Sequence, residues 1–70
     1  MIFITMHALT RAKERGLKKP TPRRAFRALR HGRPLGGFSP AYEWRDMVWV
    51  FTPDYKVLKT VYKTKENEDD

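Results

Sequence analysis

The sequence predicts an α+β fold in which two N-terminal helices pack on a three-stranded antiparallel meander (ααβββ). Three observations carry this. In the first half, apolar residues recur at helical spacing: Ala8, Leu9 and Ala12, then Ala25, Phe26 and Leu29. In the second half, Met47 to Phe51 is apolar throughout and Val57 to Tyr62 alternates, both patterns of strands. Seven of the nine aromatic residues fall between Phe38 and Tyr62, so the core is expected mainly from the C-terminal half.

Ile2 to Ile4 either forms a short strand or simply packs. Thr5 is suited to cap a first helix running to about Arg15, with Ala8, Leu9 and Ala12 on one side and His7, Arg11 and Glu14 on the other. Gly16 fits the left-handed position that ends a helix, and Leu17 supplies the apolar contact after it. Thr21 and Pro22 open the second helix, because proline at the first helical position loses no hydrogen bond. Ala25, Phe26 and Leu29 form its buried stripe, and Gly32 with Pro34 ends it.

Leu35 to Pro40 reads as a loop with room for a bulge or a short edge strand. Tyr42 to Trp44 is the first strand of the meander, Arg45-Asp46 a tight turn without the usual glycine or asparagine, and Met47 to Phe51 a central strand. Thr52-Pro53-Asp54-Tyr55 is a β-turn with proline in its favoured place. Lys56 to Lys63 is the last strand, with Val57 and Val61 on one face and Leu58, Thr60 and Tyr62 on the other. Trp44 and Trp49 are expected in the core rather than as base-stacking platforms, Trp44 the more exposed.

Seventy residues make one domain, expected over 1–65, with 66–70 an acidic disordered tail. There is no cysteine to brace the core or bind a metal. The two histidines lack the partners a zinc site needs, and the acids outside the tail never cluster as a magnesium nuclease requires. No metal or other cofactor is therefore expected. The apolar run Met1 to Ile4 is too short for a signal peptide or a membrane span, which predicts a soluble, cytoplasmic protein.

Charge points to the partner. The chain carries a formal +7, but residues 1–65 hold fifteen bases against four acids. From Arg11 to Arg33 there are ten bases and one acid, Glu14. Arg23, Arg24, Arg27 and Arg30 repel one another on a single helix, at about a few tenths of a kcal/mol per pair. Phosphate contact is the simplest compensation, and it makes Arg23, Arg24, Arg27, Arg30 and His31 the expected nucleic-acid-binding residues.

His7 and Arg11 lie one helical turn apart, and Thr60 and Tyr62 lie two residues apart on a strand. A helix laid on that strand could unite the two pairs. Histidine would move the proton of an RNA 2′-hydroxyl, arginine would hold the phosphate, and Thr60 and Tyr62 would donate hydrogen bonds or a proton. Duller roles are open to each: Arg11 can pair with Glu14, and threonine and tyrosine are common in strands.

The run His7-Ala8-Leu9-Thr10-Arg11-Ala12-Lys13-Glu14-Arg15-Gly16, with Thr60-Val61-Tyr62 at the far end, resembles small bacterial and phage domains. Those domains look like a branch of the barnase–EndoU–colicin–RelE superfold, a group of metal-independent ribonuclease toxins. The resemblance implies catalytic roles for His7, Arg11, Thr60 and Tyr62, and for Arg15 a supporting phosphate contact in nucleic-acid binding or a part in holding the helix in place. It implies a toxin-type endoribonuclease acting on RNA and restrained by an acidic antitoxin or immunity protein. The arginine-rich second helix departs from the usual acidic one. It supports the alternative, a non-enzymatic nucleic-acid-binding module or a phage-encoded inhibitor of a host complex. A third reading is a subunit that adds an exposed sheet edge to another protein.

Overall fold

Strand β1 (Phe3–Ile4) runs parallel to the last strand, β5 (Val57–Lys63), in the computed structural model, which describes residues 1–64. Between them lie helix α1 (Met6–Glu14), helix α2 (Pro22–His31) and strands β2 (Arg33–Pro34), β3 (Ala41–Trp44) and β4 (Met47–Phe51). The expected acidic tail, 66–70, lies outside the described residues. The sheet is five-stranded and mixed, in the order β1-β5-β4-β3-β2, so the three-stranded antiparallel meander is corrected. The meander exists as β3, β4 and β5, but each flank gains a two-residue strand. Two residues are too few for alternation to register.

Pairing partners rather than periodicity create those flanks. Phe3 N–H donates to Lys56 O at 2.8 Å, and Thr5 N–H to Leu58 O at 3.4 Å. On the other side Arg33 pairs with Glu43 across the ladder, and its guanidinium binds the Glu43 carboxylate. Leu35 N–H continues this edge by donating to Ala41 O at 2.8 Å. Pro34 is tolerated because β2 is an edge strand.

The helix ends follow local chemistry. Thr5 Oγ1 accepts from Ala8 N–H at 3.0 Å, and Thr21 Oγ1 accepts from Arg24 N–H at 3.1 Å. Gly16 has φ +65°, and the Leu17→Ala12 and Gly16→Lys13 hydrogen bonds close α1 in a Schellman motif. Thr5 Oγ1 also faces the carbonyls of Leu58 and Lys59 at 3.1 and 3.0 Å, tying the start of α1 to β5.

Both helices cover one face of the sheet, α1 over β5 and α2 over β3. Ala8, Ala12, Ala25 and Ala28 are buried there against Met47, Trp49, Phe51, Leu58 and Val61. Small helix side chains let the helices sit close to large sheet side chains. Phe26, expected in the buried stripe of α2, is 55% exposed, and Ala28 takes its place. At α2's distance from β3 an alanine fills the gap.

β5 contains the consequential irregularity. Thr60 pairs with Val50 and Leu58 with Phe51, so Lys59 is an extra, bulged residue. A bulge reverses the alternation. Leu58 therefore joins Val61 on the helix-covered face, and its expected place beside Thr60 and Tyr62 is corrected.

Candidate nucleic-acid interface

Cross-strand register assigns every strand residue to a face, because directly paired side chains point the same way. One row on the open face, which neither helix covers, is Arg33, Glu43, Val48 and Tyr62. The next open-face row is Ala41, Val50 and Thr60. Val48 is buried there, flanked by Glu43 and Tyr62.

The expected catalytic quartet is therefore divided. Ala8 and Ala12 of α1 meet the helix-side core, with His7 exposed and Arg11 half-buried on the flank of that helix. Thr60 and Tyr62, both half-buried, project from the opposite face of β5. The geometry keeps His7 with Arg11 and Thr60 with Tyr62, and it does not unite the two pairs. The physical reason is the alternation of β5. Once Val61 is committed to the core beneath α1, its neighbours Thr60 and Tyr62 must point away.

The expected phosphate contacts fare differently. Arg23, Arg27, Arg30 and His31 are exposed along the outer surface of α2, and Arg24 is half-buried on its flank. Arg24 Nη1 donates to Lys19 O at 2.7 Å, which fixes that guanidinium against the linker joining the helices. No carboxylate pairs with Arg23, Arg27 or Arg30 among the described residues. Arg15 is half-buried at the C-terminal end of α1.

Beside α2 lies a cavity of about 210 Å³ lined by Lys18, Arg24, Arg27, Trp44, Arg45, Met47 and Trp49. Four cations thus surround two indoles and a thioether. Trp44 and Trp49 meet with ring centres 5.9 Å apart at 54°, and Trp49 Nε1 donates to Trp44 O at 3.2 Å. Trp49 is buried, whereas Trp44 is half-buried and borders solvent. The Arg45 guanidinium lies 5.0 Å from the Trp44 ring centre.

A turn makes that last contact. Arg45 and Asp46 have φ of 54° and 63°, so both central residues of the β3–β4 hairpin are left-handed. This is the conformation of the type I′ turn, which matches the twist of the strands, and here two residues other than glycine adopt it. A wider opening of about 560 Å³ adjoins the cavity, shares Lys18, Arg45 and Met47 with it, and extends past Gly16, Leu17, Asp46 and Lys63.

The sequence gives no binding role to Lys18 or Arg45, and it favours the core over base stacking for Trp44. The available signal was the Trp44-Arg45 dipeptide at a hairpin turn, since an aromatic ring and a cation at one tip meet nucleic acid in complementary ways. Among the described residues no group of three or more His, Asp or Glu side chains is placed to hold a metal ion, and no helix is long and apolar enough to cross a membrane. No family model, curated protein or solved structure matches the chain.

Proposed function

We propose that this chain is a non-enzymatic nucleic-acid-binding module that lays the outer face of α2 and the cavity beside it against a phosphate backbone. The observation that carries this reading is the continuity of cationic surface: Arg23, Arg27 and Arg30 on the helix pass directly into Lys18, Arg24 and Arg45 around the two indoles. Arginine forks match phosphate oxygens, and exposed ones retain the freedom to follow a backbone. The division of His7 and Arg11 from Thr60 and Tyr62 favours binding over cleavage, because proton transfer needs donor and acceptor within hydrogen-bond reach of one phosphate.

The test is fluorescence anisotropy of a labelled RNA titrated with the full chain at several salt concentrations, alongside incubation of unlabelled RNA in EDTA. The expected result is binding that weakens steeply with salt, with RNA recovered intact. Cleavage that depends on His7 would restore the toxin-type ribonuclease. Absence of binding at low salt would remove both readings.

A further inference from the structure

The cavity at the β3–β4 turn differs in kind from the rest of the basic surface. Phosphate binding alone needs cations, and α2 already presents them in the open. Here cations are gathered around the exposed edge of an indole whose other neighbour, Trp49, is locked into the core. The tilted contact with that buried ring, 5.9 Å between centres, restrains Trp44, and a restrained aromatic plane suits an unstacked nucleobase. At about 210 Å³ the space is smaller than the roughly 300–1,000 Å³ pockets that enclose whole drug-sized ligands. It has room for a single base, and the arginine-lined surface of α2 that adjoins it at Arg27 favours one unit of a polymer.

Resting on the binding reading above, we propose that this cavity is a single-nucleotide subsite for single-stranded nucleic acid. A base stacks on Trp44 while its flanking phosphates are held by Lys18, Arg24 and Arg27. Arg45 acts as a gate. It covers the indole in the free chain and is displaced by the incoming base, because stacking on an aromatic ring outweighs an exposed cation–π contact. The released guanidinium then serves a phosphate. A duplex keeps its bases paired and stacked, so it can engage the arginines of α2 but cannot enter the subsite.

The experiment titrates the full chain into a labelled oligouridylate, an oligothymidylate of equal length and a matching RNA duplex, while tryptophan emission is followed. Wild type should bind single strands more tightly than duplex, and its emission should change at saturation through Trp44, since Trp49 is buried. Trp44→Leu should weaken single-strand binding by about 5- to 100-fold and leave duplex binding within about twofold, whereas Trp44→Tyr should stay near wild type. Equal binding of oligouridylate and oligothymidylate supports recognition through base and phosphate; preference for oligouridylate supports it with RNA as the ligand. Unchanged emission on saturation of wild type overturns the subsite without recourse to any variant. If Arg23→Glu with Arg27→Glu abolishes all binding while Trp44→Leu changes none of it, the subsite falls and the binding module stands. If wild type binds none of the three probes at low salt, both fall.

Discussion

Gly32 is pressed against Glu43: a methyl group added at Gly32 would lie 3.0 Å from the Glu43 carbonyl oxygen, and 2.4 Å from that of Ala28. The same methyl would stand 3.3 Å from Trp44 Cβ. The end of α2 thus approaches the backbone of β3 closely enough to leave no room for a side chain at this position. Its φ of −76° is open to any residue, so the requirement is for space rather than conformation.

Gly32→Ala is therefore expected to destabilise the fold by about 1–3 kcal/mol, because two carbonyl groups cannot yield as a flexible side chain would. In a domain of this size that lowers the thermal midpoint by about 4–8 °C per kcal/mol, readable by circular dichroism. An unchanged midpoint would show that α2 is not seated as described.

Thr5→Ala should cost about 1–2 kcal/mol, more than a surface cap alone. The hydroxyl caps α1 and also serves the carbonyls beside the β5 bulge. Thr5→Ser keeps both functions and should recover most of the loss in urea denaturation.

Reversing charge on the outer face of α2 should separate binding from chemistry. Arg23→Glu, Arg27→Glu and Arg30→Glu together are expected to reduce RNA affinity by at least about tenfold at low salt and to flatten the salt dependence. His7→Ala should leave affinity within about twofold. The reverse ranking, with His7 dominant, would contradict the interface described above.

The β4–β5 turn should weaken in acid. The Thr52 hydroxyl donates to Asp54 Oδ1 at 2.6 Å, and Lys56 N–H donates to the same oxygen at 3.0 Å. These donors hold the Asp54 carboxyl below its ordinary value. A lowered value means the folded state prefers the carboxylate. The contribution is present above the ordinary aspartate range and is lost as pH falls through the lowered one. Comparing urea midpoints of wild type and Asp54→Asn should show a gap at neutral pH that closes in acid; a gap independent of pH would dismiss the carboxylate as its source.

Much of this architecture is written in short stretches of sequence. Thr5, Gly16, Thr21 and Pro22 announce the helix limits because capping depends only on near neighbours. The apolar run of β4 announces a central strand for the same reason. What escapes is whatever depends on distant parts of the chain. Phe26 and Ala28 look exchangeable on a helical wheel, and the closeness of β3 decides between them. Lys59 carries no mark of a bulge, yet that one residue moves Leu58 to the other face of β5. The cluster of His7, Arg11, Thr60 and Tyr62 was inferred from spacing within two elements, and spacing does not state which face of a strand a helix will choose. The arginine row on α2 was legible because it lies within one helix. Its continuation through Lys18, Trp44 and Arg45 joins three separate segments, and only the folded chain brings them together.

The pairing of Phe3 and Ile4 with Val57 and Leu58 also governs the order of assembly. During synthesis the opening segment must wait, without its ladder partner, until those late residues have been made. α1 spends that interval with its alanines uncovered, since β5, on which it rests, is made after every other described element. Closure of this loop over more than fifty residues is the entropically demanding event, and the hydroxyl of Thr5 is positioned to complete it.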